Sequence, residues 1–378
     1  MDRTAGEVKV GYDEQVFLAQ ARGGISRYIV ELVKAFDAHP DLGVAPVPGW
    51  SYTPNDHADE AGLSRRLAAV DRYLSVPLLA QGAYFVGNSR RRRAARRADI
   101  LHHTYTHPRF LSPKFKGLRV CTVYDMIPEL YPETFSGRNP HLAKKRYVDE
   151  SDVVICISES TRRDLVQVYG DPGVPMPITY LGVGDGFAPG LPGLPGLPER
   201  FFLFVGRREG YKDFAVLTEA FANLPDDGTA LVVVGGDPFS EDETRRLQTL
   251  NIASRVIRLD ATDVELPRIY ASALAFVFPS RHEGFGLPTL EAMASGTAVV
   301  LARSSSHPEV GGDVARYFPP MDVEALGGVL AELQDDSRLR HDLGNRGVER
   351  AAKFTWKAAA RATAAVYQSA SARAFSSR

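Results

Sequence analysis

At 378 residues, 44% hydrophobic and 24% charged, the chain has ordinary globular composition and the length for two or three domains. Its formal net charge of −1 excludes a global attraction to nucleic acid, so such a partner would need a local patch. The start, Met1 to Gly6, lacks the apolar core of a signal peptide, and no apolar run approaches the roughly 18 residues of a membrane span, so the expectation is a cytoplasmic protein that does not cross a membrane.

Strands and helices alternate twice along the chain, which predicts α/β layers with parallel sheets. The first unit holds predicted strands at Val8 to Tyr12, Asp99 to His102, Arg119 to Tyr124 and Asp152 to Ser158, with helices at Ser26 to Phe36 and Thr161 to Val168. Gly23 and Gly24 follow the first strand and open its helix, where they let backbone approach a ligand closely. His102, His103 and His107, between Leu101 and Pro108, read first as strand-capping side chains, with a contribution to the chemistry beside Asp125 as the alternative. Cys121 and Cys156 lie in apolar, strand-like runs and fit reduced buried thiols better than a disulfide framework. Six arginines among the eight residues Arg90 to Arg97 follow the apolar stretch Pro77 to Val86. They read as a solvated helix face or as a peripheral seat on anionic lipid at the inner face of the membrane.

Between Gly190 and Pro198 the tripeptide Gly-Leu-Pro occurs three times, which reads as a linker or as an exposed loop inside one domain. The second unit continues with predicted strands at Phe201 to Gly206, Ala230 to Gly235 and Val256 to Leu259 and helices near Phe214 to Asn223 and Glu241 to Leu250. After its first strand, Arg207 and Lys212 stand five residues apart. The guanidinium fork grips phosphate oxygens and the ammonium adds a point charge, so both suit a diphosphate.

Two further buried strands, Leu274 to Phe278 and Ala298 to Leu301, flank a short helix near Pro288 to Ser295. A helix opening just after the turn Gly284-Phe285-Gly286 offers free N–H groups and a positive dipole end, a seat for phosphate. Glu283 precedes that turn and Glu291 lies inside the helix. Two carboxylates beside a diphosphate would repel it unless each turns to hydroxyls, one to a sugar and one to a ribose, which is the chemistry of a nucleotide sugar. No Asp-x-Asp pair and no His/Cys cluster with metal-ligand spacing occurs, so no metal or other cofactor is expected.

The run Pro279-Ser280-Arg281-His282-Glu283-Gly284-Phe285-Gly286-Leu287-Pro288-Thr289-Leu290-Glu291-Ala292-Met293-Ala294 resembles the donor site of the family 4 retaining glycosyltransferases. It continues through Ser295 and Gly296 to Val299-Val300, with Ala298 where a proline is usual. The resemblance implies a GT-B fold, two Rossmann-like domains facing each other across a donor/acceptor cleft. Residues 1–188 would form the acceptor-binding domain, 189–199 the Gly/Pro-rich linker, 200–355 the nucleotide-sugar domain and 356–378 a helix crossing back to the first domain.

The same resemblance implies a donor-binding set of Gly23, Gly24, Arg207, Lys212, Gly284, Phe285, Gly286, Leu287 and Glu291, and a catalytic set of Glu283, Asp125, Arg207 and Lys212. Many relatives carry His-Asp where this chain has Tyr124-Asp125, which leaves Asp125 to orient the sugar or the acceptor. The turn Ser306-His307-Pro308-Glu309-Val310 matches the family and would shape the back of the donor pocket. The look of bacterial mannosyltransferase-like members of polysaccharide assembly points to GDP-mannose, then a UDP-sugar, as donor. The acceptor would be a hydroxyl of a saccharide, lipid-linked or small molecule. Same-face attack follows, with the leaving phosphate helping to deprotonate that hydroxyl. Two other readings stand beside it: a nucleotide-sugar epimerase of the same architecture and a non-catalytic sugar-nucleotide-binding scaffold.

Overall fold

The computed structural model describes residues 7–64, 86, 88–110, 115–135, 143–208 and 210–376. The chain forms two compact units, one of Met1–Pro128, Phe135–Leu181 and Trp356–Arg378, the other of Glu129–Thr134 and Gly182–Thr355.

The first unit carries a five-stranded parallel sheet in the order β2-β1-β3-β4-β5, with β1 Val8–Tyr12, β2 Val44–Pro48, β3 Ile100–His103, β4 Leu118–Val123 and β5 Val153–Cys156. The predicted strands are there within one or two residues, and β2 is an addition. Its Pro46 and Pro48 mask it as a strand in sequence, yet it lies at the sheet edge, where a missing N–H forfeits no ladder bond on the open side. Cys121 and Cys156 are free and buried, on β4 and β5, and burial pushes each thiol up to about 12.

The second unit holds a six-stranded parallel sheet in the order β11-β10-β9-β6-β7-β8. Its strands are β6 Phe201–Val205, β7 Ala230–Val234, β8 Val256–Leu259, β9 Ala275–Phe278, β10 Ala298–Ala302 and β11 Arg316–Phe318. β7, β9 and β10 are buried at every position, as strands covered on both faces must be, which is why their sequences are unbroken apolar runs. Phe204, Phe214, Phe221, Leu330 and Leu333 lie in the core between sheet and helices.

The strand order reverses between β1 and β3 in one unit and between β6 and β9 in the other. In open parallel sheets a crevice opens at the carboxyl ends of the strands flanking such a reversal, and ligands bind there.

The Gly-Leu-Pro repeat is not the junction between the units, which falls earlier, at Leu181 and Gly182. A segment rich in Gly and Pro pairs little of its own backbone, and here Arg268 supplies further partners, its Nε donating to Pro192 O at 2.8 Å and its Nη2 to Gly193 O at 2.7 Å. The guanidinium fork thus fastens the repeat to the second unit.

The helix Trp356–Ser376 belongs to the first unit. Tyr367 Oη lies 2.8 Å from Tyr12 Oη and 2.5 Å from His102 Nδ1, and Gln368 donates to Leu42 O at 2.9 Å. His102 also meets Thr122 Oγ1 at 2.8 Å, and burial presses its pKa down to about 3, so it is a neutral core residue.

Candidate active site

The carboxyl ends of β6 and β9 carry the cluster that the sequence singled out. Lys212 ends the short turn Gly210–Lys212 after β6, and its Nζ sits 2.5 Å from Glu283 Oε1 in the loop after β9. The two side chains are only 15% and 11% exposed, so this ion pair is far less screened than one on the surface. Phe278 offers its ring face to the same ammonium at 4.9 Å.

The loop around Glu283 is held by Ser305, which sequence reasoning passed over, and by Ser306, the first residue of the turn expected to shape the back of the donor pocket. Glu283 N donates to Ser305 Oγ at 2.9 Å, while the Ser305 and Ser306 hydroxyls donate to Glu283 O at 2.5 and 3.0 Å. Ser306 also donates to Phe285 O at 2.9 Å. The signal was the serine run just before the Pro308-Glu309 turn, a string of short hydroxyls suited to bonding nearby backbone.

Gly286 caps the helix Leu287–Ala294 at φ 101°, a conformation costly for any side chain, which explains a glycine there. Pro288 takes the first turn, where a missing N–H costs nothing. Glu291 is 4% exposed and accepts from Tyr270 Oη at 3.2 Å. Gly284 and Phe285 lie in the loop between, buried with it.

The two neighbouring arginines after β6 diverge. Arg207 is exposed. Arg208 folds back, with Nε 2.7 Å from Glu243 Oε1, further bonds to Gly235 O and Asp237 O at 3.1 and 2.6 Å, and the Phe239 ring 4.8 Å away. Beside them, Asp213 at φ 49° pairs with Arg281 Nε at 2.8 Å. Tyr131, from the early stretch assigned to this unit, packs its ring 5.8 Å from Tyr211 and 5.7 Å from His282.

In the first unit, Gly23 O accepts from Ser26 Oγ at 2.9 Å and Gly24 begins the helix Gly24–Ala38. Asp125 Oδ1 accepts from Ile127 N at 3.0 Å, a local turn bond, and Lys144 Nζ donates to Asp125 O at 2.8 Å. Tyr124 is half-buried, and desolvation raises its pKa well above the usual phenol range, while its hydroxyl donates to Thr104 O at 3.3 Å. Of the three histidines, His103 pairs with Asp13, while the His107 backbone N–H donates to Gln15 Oε1 at 2.9 Å.

The arginine run forms the helix Ser89–Ala95 and its C-terminal turn. Arg92 turns inward to the buried Glu14, Nε to Oε1 at 3.2 Å, and Arg91 reaches Ser51 Oγ at 3.2 Å. Arg90, Arg93, Arg96 and Arg97 stay exposed, while residues 77–85 of the preceding apolar stretch lie outside the described residues. No helix among the described residues is long and apolar enough to cross a membrane.

Burial pushes the Glu14 carboxyl up to about 7, with Asp13 adding to it and Arg92 opposing. The unfolded chain loses this proton near the ordinary 4.5, so between 4.5 and about 7 the folded state holds more protons and stability falls as pH rises. Glu14→Gln is therefore expected to raise the unfolding free energy from urea titration above about pH 8, by up to roughly 3 kcal/mol, and to leave it unchanged below about pH 4. A loss of stability above pH 8 would show that the Arg92 pair outweighs the burial cost.

Residues 22–184 match the family model for Glycosyltransferase Family 4, and residues 195–350 match that for glycosyl transferases group 1. The chain belongs to glycosyltransferase family 4. O-antigen chain mannosyltransferase B of Escherichia coli is 29% identical over 361 residues, covering 88% of this chain and 93% of that one. MMP α-(1→4)-mannosyltransferase of Mycolicibacterium hassiacum is 45% identical over 116 residues, 30% of this chain and 28% of that one. Among solved structures, sucrose-phosphate synthase of Thermosynechococcus elongatus aligns with TM-score 0.68 at 22% identity, covering 98% of this chain and 96% of that one, a likeness of fold. This family 4 glycosyltransferase thus has the GT-B class of architecture, two parallel-sheet units.

Proposed function

We propose that this glycosyltransferase moves a mannosyl group from GDP-mannose, with a UDP-sugar as the second choice, to a hydroxyl of a saccharide, lipid-linked or small-molecule acceptor, with retention and without a metal. The observation that carries this is the Lys212–Glu283 pair, 2.5 Å apart at the ends of the two strands flanking the sheet reversal, beside the helix that Gly286 caps. Mannose is favoured by the names of the relatives, the E. coli O-antigen enzyme above all.

In this scheme the diphosphate lies at the N–H groups opening the Leu287 helix and draws Lys212 and the exposed Arg207 to its oxygens. Those charges stabilise the departing nucleotide in the way a preorganised oxyanion site does, so no divalent ion is required. Glu283 then hydrogen-bonds hydroxyls of the sugar rather than attacking it, and Glu291 serves the ribose. Gly23 and Gly24 bring backbone close to the donor, and Asp125 orients the sugar or the acceptor. The acceptor hydroxyl attacks from the face the nucleotide leaves, and its proton passes to the leaving phosphate.

A thermal-shift panel of GDP-mannose, UDP-glucose, UDP-N-acetylglucosamine, UDP-galactose and dTDP-sugars, with and without EDTA, tests it. GDP-mannose is expected to raise the melting temperature most, and EDTA to change nothing. A shift that EDTA abolishes would refute the metal-free scheme, and a response to another series alone would reassign the donor.

A further inference from the structure

The sheet reversal of the first unit carries a polar cluster that the donor chemistry leaves unused. Asp13 follows β1, and His103 is the last residue of β3. Asp13 Oδ2 lies 2.7 Å from His103 Nδ1 and takes a bond from Gln15 Nε2 at 2.6 Å, while Oδ1 accepts from Thr104 Oγ1 at 2.7 Å and Thr104 N at 3.1 Å. Burial alone would raise the Asp13 pKa, but the bonds from His103, Thr104 and Gln15 outweigh it and hold the group below its ordinary value.

A carboxylate only accepts, so Nδ1 carries the imidazole proton, and in the neutral ring Nε2 is left as a bare lone pair. That Nε2 is buried and has no hydrogen-bond partner among the described residues. Its neighbour shows the contrast: His102 uses both nitrogens, on Tyr367 and Thr122. A buried acceptor left unmatched is destabilising, a cost removed when a hydroxyl fills it. Tyr105 and Thr106, two and three residues on, line a cavity of about 10 Å³ with Tyr124, Asp125 and Lys144, a space the size of one hydroxyl or water that His103 itself does not line.

We infer that Asp13 and His103 form the acceptor anchor: His103 Nε2 takes the hydrogen bond of a second hydroxyl of the acceptor, which leaves the attacking hydroxyl's proton to the leaving phosphate, and Asp13 is the positioning residue that fixes the ring and its tautomer. The arrangement is that of a buried carboxylate orienting an imidazole in hydrolase triads, used here to aim a sugar hydroxyl. The inference rests on the transferase reading, because it needs a hydroxyl-bearing co-substrate.

His103→Asn keeps an amide N–H for Asp13 and removes the Nε2 acceptor. With the sugar nucleotide that shifts the melting temperature and methyl α-D-mannopyranoside as the acceptor probe, this variant is expected to lose about 10²-fold in transfer, its Kd for the sugar nucleotide unchanged by calorimetry. Asp13→Asn, which frees the ring tautomer, is expected to lower kcat with no change in the KM for sugar nucleotide. Transfer at the wild-type rate by His103→Asn overturns the inference, as does a sugar-nucleotide Kd that weakens in step with transfer. A wild-type protein that binds no sugar nucleotide sinks the transferase scheme itself, a separate outcome.

Discussion

Replacing Glu283 by glutamine is expected to cut turnover by about 10²- to 10³-fold while making the nucleoside diphosphate bind more tightly. The two effects oppose each other because of the Lys212–Glu283 ion pair. Lys212 Nζ is held at 2.5 Å by Glu283, both largely out of water, so a diphosphate must take the ammonium away from a carboxylate before it gains the contact. Glutamine competes less, and about 1 kcal/mol of relief corresponds to about fivefold in Kd. Turnover falls because the amide is a weaker acceptor for the sugar hydroxyls that Glu283 is proposed to bind. Calorimetry with GDP and a nucleotide-release assay separate these quantities. Wild-type turnover would remove Glu283 from the chemistry, and weaker GDP binding would show that the pair supports the site rather than competing with its ligand.

The adjacent arginines give the second large effect. Arg208→Ala is expected to destabilise the protein by about 3 kcal/mol, because it strips the partner from Glu243 and the donors from the carbonyls of Gly235 and Asp237. Arg208 is 5% exposed and Glu243 26%, so water rescues the carboxylate in part, which keeps the figure at the low end for a broken buried pair. Arg207→Ala, at an exposed position, should leave stability alone and weaken sugar-nucleotide binding. Urea unfolding and calorimetry on both variants read the crossed pattern. Equal stability losses would mean that Arg207 also serves the fold.

That pair shows where sequence reading stops. Both residues are arginines on one loop, and the spacing to Lys212 selects Arg207, but only the approach of Gly235, Asp237 and Glu243 reveals that Arg208 is the one bound into the structure. Ser305 and Ser306 are likewise far from Glu283 along the chain, and their grip on its carbonyl depends on β9 and β10 lying side by side. The same holds for Asp13 and His103, 90 residues apart and joined by the pairing of β1 with β3.

The sequence by itself determined the class of fold and the family, because both rest on local patterns. Apolar runs of strand length alternate with amphipathic helices, and the stretch from Pro279 to Val300 carries its glutamates, glycines and proline within one strand-turn-helix. It also located the strands buried on both faces, whose unbroken apolar runs need no partner to be recognised. Only the tertiary structure decided that the Gly-Leu-Pro repeat belongs to the second unit, that β2 closes one sheet edge, that Lys212 answers Glu283, and that one of two neighbouring histidines keeps a nitrogen unspent. Each of these depends on a partner distant in sequence, and hydrogen bonds and ion pairs act over a few ångströms of space, whatever the chain length between them.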